Sequence, residues 1–136
     1  MLASEALLKA KEILSNEENW CRSGHYADDS LGQSVVPSSN KACKFCTIGV
    51  LYKILLPNEP VITSVESSPV DNGIVEKYVR PAVALNSYYG GGIRERIDLD
   101  ELPWRSVIWF NDAQASHTQL MEMFDKAIEL AKADGN

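Results

Sequence analysis

The hydrophobic positions of this chain fall into separated stripes, most of them at helical spacing. Ala3, Ala6, Leu7, Ala10, Ile13 and Leu14 recur along one face, with Glu5, Lys9, Lys11 and Glu12 mostly opposite, and this pattern predicts a helix from about Ala3 to Ser15. Asn16-Glu17-Glu18-Asn19 ends it, and Trp20 is positioned to fold back on the apolar stripe. Residues 22–40 are rich in Ser, Gly, Asp and Asn, interrupted only by Val35-Val36-Pro37, and predict a long irregular loop. Such a loop calls for a reason: a functional role, a metal that ties it down, or a small hairpin within it.

A second helix is expected from Ser39 or Asn40 to about Leu56, with Ala42, Phe45, Cys46, Gly49, Tyr52 and Leu56 on one face. Gly49 costs that helix about 1 kcal/mol relative to Ala, which points to another helix crossing closely there. Pro57-Asn58-Glu59-Pro60 stops it, and Val61-Ile62-Thr63-Ser64-Val65 reads as extended linker. Ser68-Pro69-Val70-Asp71 starts a third helix to about Val79: a Ser cap, a Pro where no amide hydrogen is missed, and an acid in the first turn. Pro81 kinks or ends it, and Ala82 to Tyr89 continues as a further helical piece until Gly90-Gly91-Gly92. Asp98 or Asp100 caps a short segment carrying Leu102, Trp104, Val107, Ile108 and Phe110, closed by Asn111-Asp112. Ser116 and Gln119 then match the reciprocal capping pattern ahead of a final stripe of Leu120, Phe124, Ala127, Ile128 and Ala131. The expected class is mainly α: one compact bundle of about five helices, a single domain over residues 1–136, with a long irregular loop after the first helix.

Composition adds boundaries to that picture. A length of 136 residues with 45% hydrophobic content supports one domain with a real core, and 24% charged residues call for neither disorder nor a disulfide-stapled miniature fold. The formal charge of -6 argues against a nonspecific electrostatic hold on nucleic acid, which needs clustered Lys and Arg. It suits a partner with a basic surface, including a nucleic-acid-binding protein blocked by an acidic mimic, although dispersed acids more often serve solubility. The opening Met1-Leu2-Ala3-Ser4-Glu5 lacks the basic start and apolar run of a secretory signal. The apolar stretch from Ile48 to Leu56 is interrupted by Lys53 and is far shorter than the roughly 20 residues that span a bilayer. The expected location is therefore cytoplasmic, with three cysteines as reduced thiols or a metal site.

The sharpest candidate chemistry is a zinc set of Cys21, His25, Cys43 and Cys46, because three thiolates and one imidazole are a known tetrahedral shell and would pin the loop between them. Weighing against it, a helical Cys46 on an apolar face also serves as a small hydrophobe. A thiol nucleophile would pair Cys43 or Cys46 with His117 and Asn111 as base and orienter, without the local signature of a known thiol hydrolase. Asn111-Asp112 can bind a ligand or ion, and equally can make turn and cap bonds, with Trp109 and Phe110 as core anchors. Gly90-Gly91-Gly92 with Arg94 and Arg96 lacks the spacing and Lys of a phosphate loop and reads as a connector. Tyr88-Tyr89 beside it forms a candidate aromatic contact patch, extended by Arg94, Arg96, Asp98, Asp100 and Glu101 into a candidate partner-binding surface. The last two helices outline a helix-turn-helix, but Glu122, Asp125 and Glu129 make a poor face to set against phosphates.

Trp20-Cys21, Cys46-Thr47-Ile48-Gly49 and Phe110-Asn111-Asp112 with the helix from Ser116 resemble a widespread family of uncharacterised small proteins of bacteria and their phages. Its pattern is an N-terminal helix ending in Trp with Cys or a polar residue next, a Cys-x-x-Gly helix, and a Trp-Asn-Asp turn before a final amphipathic helix. This chain departs from it in Phe110, where a Trp is usual, and in Ser116-His117, where a Gly-Arg pair is usual. The resemblance covers both ends and the second helix, and implies a helical fold and a phage or prophage setting, with no activity attached.

The expected function is a non-enzymatic, cytosolic, phage-encoded interaction protein that binds and modulates a host protein such as a defence or nucleic-acid enzyme. It needs no cofactor, contacts neither nucleic acid nor membrane, and leaves oligomeric state open. The alternatives are a zinc-binding or thiol-dependent small-molecule binder or enzyme, and a virion or scaffolding component.

Overall fold

The computed structural model describes residues 1–58, 70–86 and 103–136. Helix α1 (Ala3–Ser15) buries Ala3, Ala6, Leu7, Ala10 and Leu14, as its stripe dictates. Its first amides, which have no partner within the helix, are met from both sides. Leu2 N–H donates to Glu5 Oε2 at 3.0 Å. Ala3 N–H donates to Asn136 Oδ1 at 3.0 Å, and Ser4 N–H to the Asn136 carbonyl at 2.8 Å. Asn136 is braced in turn by Tyr78, whose hydroxyl accepts from Asn136 Nδ2 at 3.3 Å and donates to Asp134 Oδ2 at 2.9 Å.

The chain after α1 is ordered by backbone pairing, which gives the long loop its internal structure. Asn16 caps a single 3₁₀ turn, Glu17–Asn19, by accepting from Glu18 N–H. Strand β1 (Ala27–Asp28) then pairs antiparallel with β2 (Lys44–Phe45), in the register Ala27 to Phe45 and Asp28 to Lys44. Phe45 is also bridged in parallel by Trp20, so it lies between two remote segments. The hairpin weighed for residues 22–40 is present within that segment, where Asp28 bridges Ser34 antiparallel and Val35 N–H donates to the Ala27 carbonyl at 3.1 Å, and β2 joins it from further along the chain.

That pairing overturns the expected start of the second helix. Residues 39–46 are not helical: Phe45 gives its backbone to two long-range partners, and α2 (Thr47–Leu55) begins only after Cys46. Cys46 is the cap, its Sγ accepting from Gly49 N–H at 3.3 Å. The close approach expected at Gly49 is real, but the neighbour is a loop rather than a helix. A Cβ built there would stand 1.8 Å from the Tyr26 carbonyl oxygen.

Helix α3 is continuous through the expected break at Pro81. Val70–Val79 winds as a π-helix and Arg80–Asn86 follows as α-helix. Pro81 falls where the π-helical winding gives way to α-helix, a point at which the hydrogen-bond ladder already changes register. Helix α4 (Pro103–Trp109) runs into a π-turn, Phe110–Gln114, so Asn111-Asp112 extends the helix instead of closing it. Helix α5 (His117–Ala133) begins at the expected capping box: Ser116 Oγ accepts from Gln119 N–H at 3.1 Å and Gln119 Oε1 from Ser116 N–H at 2.8 Å.

The described elements form the mainly helical bundle that the stripes predict. Helix α1 packs on α5 and α2, and α3 packs on α4 and α5. Leu7, Leu14, Ile48, Leu51, Phe110, Leu120 and Phe124 are fully buried between them, and each such side chain contributes about 1.5–3 kcal/mol. Among the described residues no helix is long and apolar enough to cross a membrane. The linker at 61–65, Ser68-Pro69 and Gly90-Gly91-Gly92 lie outside the described residues.

Candidate functional site

The three segments that carry the sequence resemblance meet at one side chain. Asn111 is fully buried in the π-turn that follows α4, closed by the Ala115 amide on the Phe110 carbonyl at 2.8 Å. Its Oδ1 accepts from Trp20 Nε1 at 2.8 Å, from Thr47 N–H at 3.0 Å and from Thr47 Oγ1 at 2.7 Å. Its Nδ2 donates to the Cys21 carbonyl at 3.0 Å and to Asp112 Oδ1 at 2.8 Å. Both amide hydrogens are used, so Asn111 ties the segment that follows α1, the start of α2 and its own turn into one buried unit.

A second set of polar groups surrounds this unit. Asp112 is half-buried, and its carboxyl is raised above the usual range by burial, against the pull of the Asn111 hydrogen bond, Arg22 and His25. The Arg22 guanidinium stacks over the Trp20 ring, 5.0 Å from its centroid. On the Trp20 ring also leans His117, 5.8 Å between centroids, whose Nε2 donates to the Leu14 carbonyl at 2.7 Å. His117 therefore closes the C-terminal end of α1.

The buried Asp28 organises the loop beside it. Asp28 Oδ2 accepts from Ser23 Oγ at 2.8 Å, and Oδ1 from His25 Nδ1 at 2.6 Å. Its carbonyl takes the Cys43 amide at 2.9 Å and the Cys43 thiol at 3.6 Å. The Cys21 thiol donates to the His25 carbonyl at 3.6 Å.

These contacts show where the candidate zinc ligands stand. Cys21 and Cys46 are buried, Cys43 is exposed, and the His25 ring turns its Nδ1 to Asp28. Burial pushes the Cys46 thiol up to about 12 and the Cys21 thiol up to about 11, the latter helped by the Asp28 charge. With no metal bound, both are protonated at neutral pH, the form that does not act as a nucleophile. Among the described residues no group of three or more His, Cys, Asp or Glu side chains is arranged to hold a metal ion. The thiol–imidazole–amide set is not assembled either: His117 faces Leu14 and Asn111 is saturated. Tyr88, Tyr89, Arg94, Arg96, Asp98, Asp100 and Glu101 lie outside the described residues.

Two features of this region were not singled out from the sequence. Asp28 sits in an Asp28-Asp29 pair inside a polar stretch, which reads as loop chemistry. The other is Leu31, 81% exposed at the tip of the next turn. Asp29 Oδ1 accepts from Leu31 N–H and from Gln33 N–H, both at 2.9 Å. The Asp29 amide donates to the Gln33 carbonyl at 2.9 Å, and Gly32 takes a φ of 79° that a side chain would resist. With Gly32 N–H also donating to the Asp29 carbonyl at 3.1 Å, Leu31 is held out on a turn tied by four hydrogen bonds.

With this geometry in view, the comparison with known families is direct. The model of a family of unknown function, DUF6197, matches residues 1–130, and the chain belongs to that family. No curated protein and no solved structure matches it.

Proposed function

We propose that this chain is a non-enzymatic cytoplasmic protein that acts by binding another protein, with Leu31 as an anchoring contact. The observation that carries this is the turn from Asp29 to Gln33: the most exposed large apolar side chain among the described residues stands on a backbone fixed by Asp29. A preorganised apolar knob loses little conformational freedom on docking, which is what makes a few residues dominate an interface. Beside it, the groups that could do chemistry are committed to holding the fold, and the two buried thiols are protonated. The charge of -6 favours a partner whose surface is basic. Carried on a phage genome, such a protein would act on a host protein, a defence or nucleic-acid enzyme being the natural class.

The test uses wild-type protein and Leu31→Asp as paired baits in a bacterial lysate, read by quantitative mass spectrometry. An exposed substitution leaves the melting temperature unchanged, so any loss of capture is a surface effect. The expected result is a protein retained by wild type and weakened by roughly 30-fold or more in Leu31→Asp, as for an anchor worth about 2 kcal/mol. Equal capture of every protein by both baits overturns the proposal.

A further inference from the structure

We propose that Cys21 and Cys46 form an oxidisable pair that closes to an intramolecular disulfide across the Trp20–Phe45 bridge. Trp20 and Phe45 are opposed in parallel, and the Cys21 amide donates to the Phe45 carbonyl at 3.0 Å. The next residue on each side is a cysteine, and in a parallel pair successive residues stay opposed with side chains on the same face. Adjacent strands run about 4.8 Å apart, inside the roughly 4.4–6.8 Å between Cα atoms that a disulfide spans. Both thiols are buried, and each sulfur lies within electrostatic reach of the other, since a charge on Cys21 disfavours one on Cys46.

Register also excludes the third cysteine. Cys43 is three positions before Cys46 in an extended run that includes β2, a separation of about 10 Å at strand rise. On the parallel side it falls opposite the turn before Trp20, equally far from Cys21. Its thiol faces the Asp28 carbonyl.

The oxidant is a small disulfide such as oxidised glutathione. One cysteine thiolate attacks it, forming a mixed disulfide and releasing one glutathione thiolate. The second cysteine thiolate then displaces the second glutathione, forming the Cys21–Cys46 bond. The two cysteine protons end on the two glutathione sulfurs, and the two electrons lost by the cysteines reduce glutathione disulfide to two thiols. Because the thiols are buried and protonated, closure proceeds through local opening of the chain around residues 22–25 or during folding. Once formed, the bond staples the start of α2 to the Trp20 segment and closes residues 22–45 into a loop that carries the Leu31 turn. This inference does not depend on what the protein binds.

The test is full-length Cys43→Ser protein equilibrated in glutathione redox buffers, in native buffer and in urea, then acid-quenched and mapped by mass spectrometry. A pair that fits the native geometry is closed more readily in the folded chain than in the unfolded one. The expected result is a loss of two hydrogens, a peptide joining Cys21 to Cys46, and an effective concentration at least about tenfold higher in native buffer than in urea. An effective concentration in native buffer equal to or below that in urea overturns the proposal. Should Cys43→Ser not fold, wild-type protein alkylated at the exposed Cys43 under native conditions gives the same comparison.

Discussion

Replacing Asn111 by Leu, nearly the same size and without polar atoms, removes every bond of the buried hub without opening a cavity. Trp20 Nε1–H and the Thr47 amide lose their acceptor, and the Cys21 carbonyl loses a donor. A buried polar group left unpaired costs about 1–3 kcal/mol. Two orphaned donors and one orphaned acceptor, with the Thr47 hydroxyl free to turn elsewhere, sum to roughly 6 kcal/mol at the middle of that scale, about 2 kcal/mol each. Against a total stability of roughly 5–15 kcal/mol, Asn111→Leu folds but with much of its margin gone. The assay is urea unfolding followed by circular dichroism, with Thr47→Val and the double variant measured alongside. Thr47→Val removes one hydroxyl bond and costs about 1 kcal/mol. The double variant costs less than the sum, because both changes sever the same bond. A loss under about 1 kcal/mol for Asn111→Leu, on the scale where one orphaned donor already costs that much, or strict additivity with Thr47→Val, refutes the hub.

Gly49→Ala gains about 1 kcal/mol of helix propensity, yet its Cβ collides with the Tyr26 carbonyl; the net result is a lower melting temperature, and an unchanged or higher one contradicts the close approach. Iodoacetamide labels only Cys43 in native buffer and all three cysteines in urea, and native labelling of Cys21 or Cys46 would show that they are more open than their burial implies. Asp112 has a native pKa above its unfolded value of 3.8, so the folded state binds the proton more tightly and the stability this group contributes falls as pH rises through that raised value. Asp112→Asn, which keeps an acceptor for Asn111, is therefore more stable than wild type at neutral pH and loses that advantage in acid; urea midpoints at the two pH values check it, and the opposite trend refutes it.

The parts of this fold that were legible in the sequence are those whose causes are local. Helix α1 follows from Ala3, Ala6, Leu7, Ala10 and Leu14 on one stripe, and α5 from the Ser116–Gln119 box. Residues 39–46 misled because Ala42, Phe45, Cys46 and Gly49 share a helical face, while the partners that make Phe45 extended, Trp20 and Ala27, are remote in the chain. Gly49 signalled a close neighbour correctly in kind, but a glycine carries no record of whether that neighbour is a helix or the carbonyl of Tyr26. Asn111 read as a turn residue because local bonding is what Asn ordinarily does; its long-range bonds reach back to residues 20, 21 and 47. The π-turn that carries it shifts the hydrogen-bond ladder by one residue, and apolar periodicity does not report that shift.

The account stands on residues 20–21, 47 and 111 forming one buried hydrogen-bonded unit, and its most direct test is exchange of the Trp20 indole N–H with deuterated solvent, followed by NMR. Bonded to Asn111 in the core, this proton is predicted to exchange only on global unfolding, with a free energy matching that from urea. Exchange at the rate of an exposed indole while the core amides of α1 remain protected would contradict it.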